Sequence, residues 1–141
     1  MIEAFELGKL IRGTTKNIKK YINKRLKPYN LSEGHFEYFI NIYHNQGINQ
    51  KQLGASLNQG KAAVTKAVQR LLNEELIYRK TKETDQRNYG LYITEKGQNY
   101  IELFHDISGE VNSKVLSSFT DEEIQLLYKL AYKMHENTKT L

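Results

Sequence analysis

The sequence predicts a mainly α-helical protein carrying one small β-hairpin. Apolar residues recur at helical spacing along most of the chain. Helix-start signals open three of those segments. Two-residue alternation occurs in one place, the stretch from Leu76 to Gly97. That stretch reads as two short strands around a polar, charged loop, too long and hydrophilic for a tight turn.

The elements follow in chain order. Over residues 4–27, Leu7, Ile11, Ile18, Ile22 and Leu26 make one helical stripe, with Lys9, Lys16, Lys20 and Lys27 opposite it. Pro28, the only proline, stops this helix. Ser32 caps a second helix, with Leu31 placed to staple Phe36. Phe36, Phe39, Ile40 and Tyr43 share its face, and Gly47 ends it. Asn49 caps a third, with Gln52 completing an approximate capping box and Ile48 stapling Leu53. Lys61 to Glu75 forms the fourth, whose stripe is Val64, Ala67, Val68 and Leu71. Tyr78 and Lys80 alternate on the first strand, and Tyr89, Leu91 and Ile93 on the second. Thr94 caps a long helix faced by Tyr100, Phe104, Ile107, Val111 and Val115. Phe119-Thr120-Asp121-Glu122-Glu123-Ile124 opens the last helix with a full capping box and staple.

Composition bounds the function. The 141 residues are long enough for one cored domain, and the net charge is +5. That balance permits nucleic acid or an anionic membrane as partner. Residues 1–30 carry eight Lys/Arg against two acids, residues 51–90 eight against four, and residues 91–141 five against eight. The basic excess therefore sits in the first helix and around the hairpin. There is no cysteine, which excludes disulfides, thiol redox sensing and Cys-ligated zinc. No apolar run approaches the roughly 18 residues of a membrane span, and the acidic N-terminus does not read as a signal peptide. A soluble, cytoplasmic protein is expected. No Gly-rich phosphate loop or nucleophile motif is present, so an enzyme is not expected, nor any cofactor. His35, His44, His105 and His135 are widely spaced, and no metal site is expected.

Function concentrates in two short helices, 49–56 and 61–75, joined by S-L-N-Q-G. A short helix, a glycine-containing turn and a second helix are the elements of a helix-turn-helix. With the apolar stripe inward, Ala62, Thr65, Lys66 and Gln69 face outward. Lys66 and Gln69 can hydrogen-bond base edges, and the methyls of Ala62 and Thr65 can meet thymine methyls. Lys61 and Arg70 flank them at positions suited to phosphate, and Ala63 completes the candidate set. The hairpin that follows is a wing. Arg87, between Asp85, Gln86 and Asn88, suits a narrow, electronegative minor groove, with Arg79, Lys80 and Lys82 on the entering strand.

These residues resemble the MarR family of winged helix-turn-helix transcription regulators over nearly the whole chain. Asp85-Gln86-Arg87 is similar to the family's D-x-R wing tip, and Ile93-Thr94-Glu95-Lys96-Gly97 to its L-T-E-K-G helix start. K-A-A-V-T-K-A-V-Q-R-L resembles its recognition helix. Gly60 stands where many members carry a capping Asp, and Lys66 where Arg is common.

The resemblance implies a single unit over 1–141, with a DNA-binding lobe at 31–94 and dimerisation helices at 1–30 and 95–141. It implies a homodimer on a pseudo-palindromic duplex operator, repression as the usual outcome, and control by a small aromatic or anionic effector. Leu126, Leu127, Tyr128, Leu130, Ala131, Tyr132 and Met134 spread over too wide an arc for one buried stripe, which independently favours a second copy. Arg12 and Arg25 are the candidate effector-carboxylate partners; the plainer reading is stems packed on the core with the charge outward. A membrane-surface role for the basic helix 4–27, and a wing used only for protein contact, are the competing readings.

Overall fold

The computed structural model describes residues 3–82 and 85–141, with every side chain except those of residues 82 and 85–88. The chain forms two compact units, Met1–Ile107 and Ser108–Leu141.

The first unit opens with α1 (Ala4–Leu26). Pro28 lies within a following 3-10 turn, Lys27–Tyr29, so the α-helix ends before it. Only Ile22 and Leu26 of α1 are buried; Leu7 and Ile11, expected on its inner stripe, lie exposed. Three short helices follow: α2 (Glu33–His44), α3 (Gln50–Leu57) and α4 (Lys61–Asn73). They pack on one another around Phe39, Ile42, Leu53, Val68 and Leu71, all fully buried. The first half of α5 (Glu95–Val115) adds Phe104, whose ring stacks on Phe39 at 4.7 Å and meets Phe36 at 5.0 Å.

Strands β1 (Ile77–Lys82) and β2 (Asp85–Ile93) form an antiparallel hairpin. The ladder runs from Ile77↔Ile93 to Thr81↔Tyr89, then shifts register before Lys82↔Asp85. The strands thus reach further into the charged stretch than its polarity predicts, because ladder bonds join backbone groups and do not require apolar side chains. Tyr78 and Tyr92 stack across the pair at 5.5 Å. A further bridge joins Ile48 to Leu91, with two backbone bonds of 2.8 Å between Gly47–Ile48 and Leu91. Gly47 makes this bridge from a left-handed conformation (φ 97°), not as a helix cap: α2 has already ended at His44.

Helix α4 joins β1 through a tight stop. Glu75 is left-handed (φ 59°), and Leu76 N–H donates to Leu71 O at 3.0 Å. This is the Schellman pattern, with Glu where glycine is usual. Thr94 then locks the wing base: its N–H donates to Leu76 O (3.1 Å), its hydroxyl to Glu75 O (2.6 Å), and its Oγ1 accepts from Gly97 N–H (2.9 Å).

The second unit holds the end of α5 and α6 (Asp121–Thr138). Thr120 and Glu123 form a reciprocal capping box at its start. No residue of α6 is buried; Leu126, Leu127, Tyr128, Leu130, Tyr132 and Met134 are all exposed.

Candidate nucleic-acid interface

The helix-turn-helix is set by a glycine contact. Gly54 of α3 is buried, and a Cβ there would lie 2.9 Å from Gln59 O and 3.0 Å from Val64 Cγ2. The absence of a side chain lets α3 and the start of α4 touch. Asn49 caps α3, exchanging bonds with Gln52 of 2.8 and 3.0 Å. Asn58 ends α3 in a left-handed conformation, and Gly60, with no side chain, begins α4.

With Val64, Ala67, Val68 and Leu71 buried, α4 turns Lys61, Ala62, Ala63, Thr65, Lys66 and Gln69 to the surface. Five of these (Lys61, Ala62, Thr65, Lys66 and Gln69) line one open groove, joined by His35, Arg70 and Asn73. Gln69 is oriented by a 2.9 Å bond from its Nε2 to Asn73 Oδ1. Gln50 links this face to the wing: its Nε2 donates to Thr65 Oγ1, and its Oε1 accepts from Arg79 Nη2, both at 3.4 Å. Arg79 and Lys80 are exposed on β1. The side chains of Lys82, Asp85, Gln86, Arg87 and Asn88 lie outside the described residues.

Arg70 also makes contacts beyond α4. Its Nη2 donates to Asn30 O at 2.9 Å, and its Nε lies 3.8 Å from Glu74 Oε1. Asn30 Nδ2 closes the cluster on the same carboxylate oxygen at 2.9 Å. The guanidinium thus braces the end of α4 against the turn after α1 through Nη2, while lining the same groove.

His35 and Gln50 were missed by sequence reasoning. His35 stands three residues after Ser32, where a capping-box Glu or Gln is usual, and that spacing was the available signal. Gln50 carried none, since its role depends on which strand lies beside α3. Arg12 lines a shallow hollow on the flank of α1 with Ile11, Thr15 and Lys16; Arg25 does not, so the two are not brought together. Among the described residues there is no group of three or more side chains able to hold a metal ion.

Comparison with known proteins agrees with this geometry. The MarR family model matches residues 31–89, the helix-turn-helix and most of the wing. The HTH-type transcriptional regulator BilQ of Clostridium symbiosum is 30% identical, over 81% of this chain and 79% of its own. A MarR protein from Peptoclostridium difficile is 30% identical with a TM-score of 0.83, covering 99% of this chain and 93% of that one. The chain belongs to the MarR family. A further MarR-family regulator, from Listeria monocytogenes and solved in complex with a 26mer DNA, is 29% identical with a TM-score of 0.86, covering 97% of this chain and 89% of that one. MarR proteins are transcriptional regulators and not enzymes. The β1–β2 hairpin after α4 is the wing of this winged-helix fold.

Proposed function

We propose that this protein binds a pseudo-palindromic duplex operator as a homodimer and represses transcription from it. One observation carries the reading: Gln50 bonds both Thr65 on the outward face of α4 and Arg79 on the wing strand, making one continuous polar surface. A helix with small outward residues can lie deep in a major groove while the hairpin follows the neighbouring backbone. Lys66 and Gln69 contact bases, Ala62, Ala63 and Thr65 supply small and methyl surface, and Lys61, Arg79, Lys80 and Lys82 contact phosphates. Arg87 enters the minor groove, with Asp85, Gln86 and Asn88 beside it.

Residues 31–94 form the DNA-binding lobe, and residues 1–30 and 95–141 the dimerisation helices. The apolar side chains exposed on α6, together with Phe5, Leu7, Leu10 and Ile11 on α1, support that division. A small aromatic or anionic effector relieves binding by favouring one lobe arrangement over another. Cytoplasmic residence fits this role; among the described residues no helix is long and apolar enough to cross a membrane.

The test is a titration against the DNA upstream of the protein's own gene and against scrambled duplex, with and without aromatic acids. Tight binding to the first only is expected, and equal affinity for both sinks the specific-regulator reading. Arg87→Ala is expected to cost about 1–3 kcal/mol of specific binding with fold and dimer intact. Unchanged affinity would favour a wing that contacts protein.

A further inference from the structure

His35 occupies the third position of α2 and lines the same groove as Lys61, Ala62, Thr65, Lys66 and Gln69. Its Nδ1 accepts the Ser32 backbone N–H at 3.0 Å and lies 3.0 Å from Ser32 Oγ. A backbone amide can only donate, so Nδ1 is an acceptor and the neutral ring carries its proton on Nε2. Among the described residues no group accepts from that Nε2–H.

We propose that His35 is a DNA-backbone contact, donating its Nε2–H to a phosphate oxygen of the strand that lies in the α4 groove. The inference rests on the DNA-binding reading and adds an element, α2, that the recognition helix and wing do not include. A phosphate oxygen is an acceptor only, and the helix cap fixes this ring as a donor before DNA arrives. Little orientational freedom is then lost on binding. The charged groups facing the ring all come from the α4 region: Arg70 and Lys66 against Glu74. Burial first, then Arg70, holds the His35 pKa below its usual value, so the ring stays neutral in the free protein near neutral pH.

His35→Leu set against Ser32→Ala separates this role from the cap. Leucine removes the donor and the cap together, whereas Ser32→Ala removes the hydroxyl half of the cap and leaves the imidazole donor in place. The probe is the duplex that the wild-type protein enriches from a random-sequence pool, read by affinity, salt dependence and phosphate-ethylation interference. H35L is expected to bind about tenfold more weakly, with S32A close to the wild type. Interference is expected to vanish at one phosphate per half-site, with the salt slope unchanged because a neutral donor displaces no counterion. Equal affinity with an unchanged interference pattern would overturn the proposal. So would a uniform weakening of every interference position with a lowered Tm, which marks His35 as a cap residue only. A wild-type protein that enriches no duplex defeats the DNA-binding reading itself, a result distinct from either.

Discussion

Gly97→Ala tests the junction that holds the wing to the body. Gly97 lies buried in the first turn of α5, where a Cβ would collide with the Leu76 carbonyl oxygen and sit 2.9 Å from Ile93 Cγ2. Helix propensity alone favours Ala over Gly by about 1 kcal/mol. Against that stand an overpacking cost of about 1–3 kcal/mol and the loss of the Thr94 N–H bond to Leu76 O, about 1–3 kcal/mol if the carbonyl is left unpaired. The net is a destabilisation of about 3 kcal/mol, or a Tm lowered by roughly 6–12 °C for a chain of this size. The control is Gly109→Ala in the same helix, where a Cβ meets nothing within 4 Å. That change is expected to stabilise by about 0.5–1 kcal/mol. Urea and thermal unfolding at one fixed protein concentration measure both, since the proposed dimer would couple Tm to concentration. If both variants were stabilised alike, the close approach of α5 to Leu76 would be refuted.

Two further outcomes are expected. The His35 pKa is lowered, so the folded state binds fewer protons than the unfolded state across the window from its depressed value up to about 6.5. Its contribution to stability is therefore complete above about pH 6.5 and is lost as the pH falls through that window. Urea midpoints at pH 7.5 and 5.5 should show the wild type losing more than H35L on acidification; parallel losses would contradict the assignment. Leu127→Glu places a charge on the apolar surface of α6, where Leu127 is 40% exposed. Sedimentation is expected to change from dimer to monomer with helical content retained; a monomeric wild type would end the dimer reading.

Much of this fold could be read from local patterns. Asn49 with Gln52 and Thr120 with Glu123 start their helices as their spacing predicts, because a cap needs only residues within one turn. The inward stripe of α4 follows its periodicity, so the outward face was legible too. What escaped depends on contacts distant in sequence. Ile48 pairs with Leu91, and Gln50 joins Thr65 to Arg79, only because the hairpin folds back on α3. Helical spacing places Arg70 on the flank of α4 but does not show its bond to Asn30 O, which depends on the turn after α1. Glu75 could not be expected in a left-handed stop where glycine is usual, and surrounding bonds from Leu76 and Thr94 hold it there.

The salt dependence of duplex binding by the wild type, Lys61→Ala and Lys66→Ala tests the central claim most directly. If α4 lies in the major groove, the log of the wild-type affinity falls steeply and linearly with log salt. Lys61→Ala then reduces that slope by about 1 per protomer and weakens all sequences alike, whereas Lys66→Ala mainly erodes the preference for the enriched duplex over random DNA. Wild-type binding that ignores salt, or two variants that match the wild type in slope and preference, would contradict a DNA-reading role for this helix.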